Sequence, residues 1–243
     1  MSTSEKPPTL DPVAAQRWAS RPLPASAWLH EEVARRMQER LDVIRLQPQA
    51  WADWEPLRGG LQAHQALRSR YPQAALWQVL DQPDEARRVQ TQTASAWWQP
   101  SRWTGPRLHS GQPPAGAVQM VWANMLLHQV ADPQALIRQW HRSLAVDGFL
   151  MFSCLGPDTL RELGRNLHVD RFAGLRGRSW QRQWLQAVAD RGERDAQGRL
   201  KLTFEVIYGH ALRPVVRSKM LPESQIGLHD MRQMLARRRP SDL

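Results

Sequence analysis

From residue 26 onward, apolar positions first recur every three or four residues. In "SAWLHEEVARRMQERLDVIRL", Leu29, Val33, Met37, Leu41 and Ile44 share one helical face. Ser26 stands where an N-cap is expected, and Glu31 and Glu32 lie near the positive end of the helix dipole. The spacing predicts an amphipathic helix lying on a domain. Beyond it, short apolar runs alternate with helical patterns: a strand at 51–54, a helix at 60–70, a strand at 75–80 in "AALWQVL" and a strand at 117–124 in "AVQMVWAN". This alternation predicts βαβ units and a mainly parallel sheet.

The second half continues the pattern. "DPQALIRQWHRSLAVDG" places Leu136, Ile137, Trp140 and Leu144 on one face, and a turn at Asp147 and Gly148 feeds the strand "FLMFSC". A helix is expected at 179–190, carrying Trp180, Trp184, Leu185 and Val188. "KLTFEVIY" alternates Leu202, Phe204, Val206 and Tyr208, as a strand with one buried face should. Residues 1–26, rich in Pro, Ser and Ala, read as a loosely held leader. The domain then spans 27–214, and a basic tail, 215–243, holds a short helix and ends "ARRRPSDL".

Composition narrows the class. The 243 residues, 42% hydrophobic, suffice for one well-buried α/β core. No run of 18 apolar residues exists and the N-terminus is polar, so the expectation is a cytoplasmic protein without membrane insertion. The single cysteine, Cys154, sits in an apolar run and reads as a buried small hydrophobe. No His or acidic pair has metal-ligand spacing, so no metal is expected. Of the net charge of +10, residues 161–243 carry +8, from 17 Lys and Arg against 9 Asp and Glu. Such a surface attracts nucleic acid, anionic lipid or an acidic protein without choosing among them. Twelve tryptophans suggest packing roles, although Trp97, Trp98 and Trp103 fall in a Pro- and Gly-containing loop.

With these elements placed, "VWANMLLHQVADPQALIRQWHRSLAVDGFLMFSCLGPDTLREL", residues 121–163, resembles the malonyl-acyl carrier protein O-methyltransferases of biotin synthesis, a branch of the S-adenosylmethionine-dependent class I methyltransferases. The "GPDTLREL" ending is distinctive for that branch. "AWLHEEVARRMQERLDVIRLQP", "RYPQA" and "FEVIYGHALRP" are similar to it as well. The resemblance implies a Rossmann-like, mostly parallel seven-stranded sheet flanked by helices, with S-adenosylmethionine bound outside the carboxyl ends of the strands. It implies Asp53, Gly59, Gly60, Asp81 and Asn124 as cofactor-binding residues and His128, above the site, as the group that orients the acceptor. A histidine hydrogen-bonded near a helix start is the plainer reading of His128. The carrier protein is acidic, and Arg138 and Arg142 could face it.

The chain departs from the family pattern at several points. The family's D-x-G-x-G-x-G turn falls on Asp53, Glu55, Leu57 and Gly59, so two of three glycines are lost. A Glu55 carboxylate about 4 Å from the cofactor's carboxylate would oppose binding by roughly 4 kcal/mol at an effective dielectric of about 20, on the order of a thousandfold. The acidic residue that ends the second strand is Leu80 without a gap and Asp81 with a one-residue slip, and Gln119 replaces a usual aspartate. The first tyrosine is Tyr71, so the family's aromatic N-terminal segment is missing, and the stretch between "GPDTLREL" and "FEVIYGHA" is short, implying a reduced cap or a missing strand. Three functions follow as alternatives. One is methyl transfer to a malonyl-acyl carrier protein thioester or similar carboxylate, which needs alignment and water exclusion rather than a strong base. The second is a catalytically inactive methyltransferase fold acting through its surface. The third is nucleic-acid binding by the basic C-terminal third with Trp180 and Trp184.

Overall fold

The computed structural model describes residues 10–93, 107–160 and 177–215. Among them, strands β1 (Ala50–Trp54), β2 (Ala75–Val79), β3 (Leu108–Ser110), β4 (Val118–Ala123), β5 (Leu144–Leu155) and β6 (Val206–Leu212) form one sheet in the order β3-β2-β1-β4-β5-β6. All neighbours are parallel except β5 and β6. The helices are α1 (Pro12–Ala19), α2 (Trp28–Glu39), the single turn α3 (Pro56–Gly59), α4 (Leu61–Arg70), α5 (Pro83–Thr93), α6 (Pro133–Ser143) and α7 (Arg178–Arg191).

Alternation along the central strands builds two cores. Trp51 of β1, Met120 and Trp122 of β4, and Phe149 and Met151 of β5 meet Met37 of α2 and Leu67 of α4 on one face. Ala52, Trp54, Val121 and Leu150 meet Trp140 of α6 on the other. A parallel strand covered on both faces is apolar at nearly every position, which is why "AVQMVWAN" reads as a continuous run. Trp51, Trp122 and Trp140 are among the largest fully buried side chains, so these indoles do serve packing. The remaining tryptophan question, at 97, 98 and 103, lies outside the described residues, as do the Trp180 and Trp184 side chains and the tail helix.

Several expectations change. The Asp147–Gly148 turn is an excursion inside β5. Leu144 already pairs with Val118, and pairing resumes at Phe149 with Met120. Asp147 takes φ 61, and a Cβ on Gly148 would meet two carbonyl oxygens at 2.9 and 3.0 Å, so the loop needs glycine there. β6 starts at Val206 rather than at Lys201, because β5, its antiparallel partner, ends at Leu155. Upstream of that pairing Leu202 and Phe204 are left 41% and 44% exposed. The leader contains α1, capped by the Asp11 carboxylate on the amides of Val13 and Ala14. The hydroxyl of Ser26 does not cap α2. It accepts from the amide of Leu61 at the start of α4.

Candidate cofactor site at the carboxyl ends of the strands

The strand order brings the ends of β1, β2 and β4 together, where open α/β sheets place their ligands. Asp53, Glu55, Gly59, Gly60, Asp81 and Asn124 all gather in this region. What surrounds them differs from the expected pocket.

Asp53 faces inward. Its carboxylate lies 2.7 Å from His64 Nδ1 of α4, and Gln78 Nε2 of β2 lies 3.0 Å from His64 Nε2. The Gln78 Nε2 group is a donor only, so His64 Nε2 accepts and Nδ1–H donates to Asp53. The three side chains are solvent-excluded. Burial raises the Asp53 carboxyl, and the His64 bond opposes that rise. His64, ten residues beyond the end of β1 and unremarkable in sequence, is a partner that sequence did not announce.

The turn after β1 keeps a glycine-like backbone without the glycine. Glu55 has φ 54 and ψ 54, a left-handed conformation that disfavours a side chain by about 1–2 kcal/mol. Its amide donates to the carbonyl of Val79, prolonging the sheet, and its Oε1 accepts from the amide of Asp81. The Glu55 carboxyl is therefore turned toward the end of β2. Burial, with the charges of Asp81 and Glu85 nearby, pushes it up to about 8, so it carries a proton at neutral pH. The obstacle it presents is bulk, and the repulsion worked out for an ionised carboxylate does not apply. Leu57 follows, fully buried. Arg58 Nη2 donates to Glu85 Oε1 of α5 at 2.6 Å and to the carbonyls of Ala19 and Arg21 at 2.6 and 2.9 Å.

Gly59 and Gly60 are required where they stand. A Cβ on Gly59 would come within 3.0 Å of the Asn124 carbonyl, and Gly60 has φ +132. Asn124 spends its whole side chain on the protein: Nδ2 donates to the carbonyls of His30 and Gly59, and Oδ1 accepts from Ser153. The first amides of α4, which an anionic ligand would otherwise meet, go to Ser26 and to Glu31, whose carboxylate accepts from Gln62 and Ala63 at 3.1 and 3.3 Å. These caps come from more than thirty residues away, so no local signal in the sequence announces them. Glu31 thus serves the dipole of α4.

Asp81 is exposed, its carboxylate open at the end of β2. His128 lies on a one-turn helix, Leu127–Gln129, and its Nδ1 accepts from the amide of Leu155 at 3.3 Å. Burial, with His30 nearby, lowers it to about 4, so it is a neutral imidazole with Nε2–H available as a donor. Gln119 belongs elsewhere. Its side-chain oxygen accepts from the amides of Gln49 and Ala50 at the opposite ends of the strands, and its identity bears on strand anchoring. Arg138 and Arg142 line a groove with Pro113 and Pro114 at that far edge, which does not place a carrier protein over the site. Among the described residues, no three His, Cys, Asp or Glu side chains form a metal-binding group, and no helix is long and apolar enough to cross a membrane.

Strand order 3-2-1-4-5 with an antiparallel strand beyond β5, and a ligand crevice region at the ends of β1, β2 and β4, define the Rossmann-like class I methyltransferase fold. No protein-family profile matches the chain. It is 30% identical to the malonyl-[acyl-carrier protein] O-methyltransferase of Laribacter hongkongensis, over 80% of this chain and 86% of that one. It is 31% identical to the protein of the same name from a Methylovorus species, over 79% and 85%. Among solved structures, the YcgJ protein of Bacillus subtilis aligns with a TM-score of 0.49 at 12% identity, over 74% of this chain and 98% of that one. The chain belongs to the malonyl-[acyl-carrier protein] O-methyltransferase family. Membership implies S-adenosylmethionine as the cofactor. The residues present do not fit it as they stand: Glu55, Leu57 and Arg58 are buried side chains in the turn where the family carries glycines, and Asp53 and Asn124 are fully engaged within the protein.

Proposed function

We propose that the chain is an S-adenosylmethionine-dependent O-methyltransferase acting on the free carboxylate of a malonyl-type thioester, with an acidic acyl carrier protein as partner. The observation that carries this reading is the relationship to carrier-protein methyltransferases along four-fifths of the chain. The acceptor chemistry is compatible with it. A carboxylate acceptor is already a nucleophile, so the protein needs to orient it and exclude water, and the neutral His128 Nε2–H is a donor suited to holding an acceptor oxygen. In this reading Asp81, exposed at the end of β2, accepts from the ribose hydroxyls. The relatives' names point to a carrier protein and not to nucleic acid.

One observation favours a second reading. A cradle filled by its own turn suits a family member that has given up catalysis and works through its surface. Incubation with malonyl-acyl carrier protein and S-adenosylmethionine, read by the gain of one methyl group in intact-protein mass spectrometry, separates the two. Methyl transfer supports the first reading. Absence of transfer, with no shift in melting temperature at millimolar cofactor, leaves the second.

A further inference from the structure

The turn between β1 and α4 makes contacts that a cofactor loop does not need. Arg58 holds the carbonyls of Ala19 and Arg21 with the same nitrogen that pairs with Glu85. Ser26 donates to the carbonyl of Leu57 at 2.6 Å, and the Arg58 carbonyl lies 2.6 Å from His30 Nδ1. The N-terminal segment is thereby pinned to this turn at 19–21 and again at 26. We infer that the turn Glu55–Arg58 is a latch that holds the cofactor cradle shut, tying residues 19–21 and Glu85 across it, so that the cofactor enters only when the turn lets go.

The closed state contains features that favour release. Glu55 is a non-glycine residue in left-handed backbone. Glu55 Oε2 and Glu85 Oε2 are buried without hydrogen-bond partners, and Arg58 Nε is 3.8 Å from the former. Three groups face the Glu55 carboxyl: Arg58 from its own turn, Asp81 from the loop after β2 and Glu85 from α5. One guanidinium serves both Glu55 and Glu85. While Glu55 holds its proton the cluster is tolerable. Once it ionises, a second buried carboxylate stands beside Glu85, and the closed state weakens. A ligand that binds only the open form then gains apparent affinity in proportion to the open fraction.

The inference rests on the methyltransferase reading, and its test separates the two. The probe is S-adenosylhomocysteine, the demethylated product, titrated calorimetrically into the full chain at about pH 7 and about pH 9. The wild type is expected to bind up to about tenfold more tightly at the higher pH. Glu55→Gln, which mimics the protonated acid, is expected to bind weakly at both, and Arg58→Ala more tightly than wild type at both. Hydrogen exchange in residues 12–26 should rise when the probe saturates the wild type. Equal wild-type affinity at the two pH values, with unchanged exchange at 12–26, overturns the latch and leaves the methyltransferase reading intact. Exchange showing 12–26 released while millimolar probe still gives no heat overturns both. If Arg58→Ala does not fold, the wild type against Glu55→Gln decides.

Discussion

Replacing Glu55 with Gln should abolish a fall in stability between pH 6.5 and 8. In the folded chain Glu55 releases its proton near 8, against an ordinary value of 4.5, so over that interval the native state holds a proton that the unfolded chain has lost. Stability then declines as pH rises, by about 1.4 kcal/mol per pH unit. The contribution is fully present below 4.5 and gone above about 8. His128 runs the other way. Its native value near 4 lies below the ordinary 6.5, so it makes stability rise with pH between those limits. His30, also lowered by burial, adds to that rise. Below 6.5 the opposing slopes largely cancel. Above 6.5 the histidine slopes are gone, and Glu55 contributes a loss of roughly 2 kcal/mol by pH 8. Urea unfolding followed by tryptophan fluorescence would show this as a midpoint falling by about 0.7–1 M, for a denaturant slope of roughly 2–3 kcal/mol/M. Asp53, likewise raised by burial, is present in both proteins, so the difference between them isolates Glu55. A wild-type midpoint that is level or rising from pH 6.5 to 8, or a Gln variant with the same decline, refutes the protonated assignment.

Other outcomes follow from the same contacts. Gly60→Ala forces a side chain onto φ +132 and brings its Cβ within 3.0 Å of Glu31 Oε2, and it should lower stability by about 1–3 kcal/mol in the same urea assay. His64→Ala strands the buried Asp53 carboxylate and the Gln78 amide, for an expected loss of about 3 kcal/mol or more that Asp53→Asn made alongside it should partly relieve. Arg138→Glu with Arg142→Glu should leave any methyl transfer to a carrier protein within about twofold, because both side chains sit at the far edge of the sheet. A loss of tenfold or more in that assay would put the carrier protein on that edge instead.

Much of the architecture is written in local pattern. Period-two alternation and continuous apolar runs mark β1, β2, β4 and β5 because each residue's burial follows from the pleat and from helices on both faces. The spacing of Leu29, Val33 and Met37 marks α2, which ends at Glu39, so that Leu41 falls in a 3-10 turn and Ile44 beyond it, and Asp132, which caps α6 through the amide of Ala135, is visible as Asp-Pro before an apolar stripe. Where pattern failed, a partner in space was missing from view. Leu202 and Phe204 alternate like a strand but have no strand beside them among the described residues. Ser26, just before α2, and Glu31, in its first turn, look like local partners of that helix, yet they satisfy the amides of α4, packed against it.

The candidate site divides in the same way. Sequence by itself determined the ancestry and the loss of two glycines from the family's turn, because those depend on residue identity at set distances along the chain. Only the tertiary structure decided what fills the cradle. Whether Asp53 greets a ligand or a histidine, and whether the Glu55 carboxyl keeps its proton, depends on groups eleven to thirty residues away that folding brings within hydrogen-bond reach and out of water.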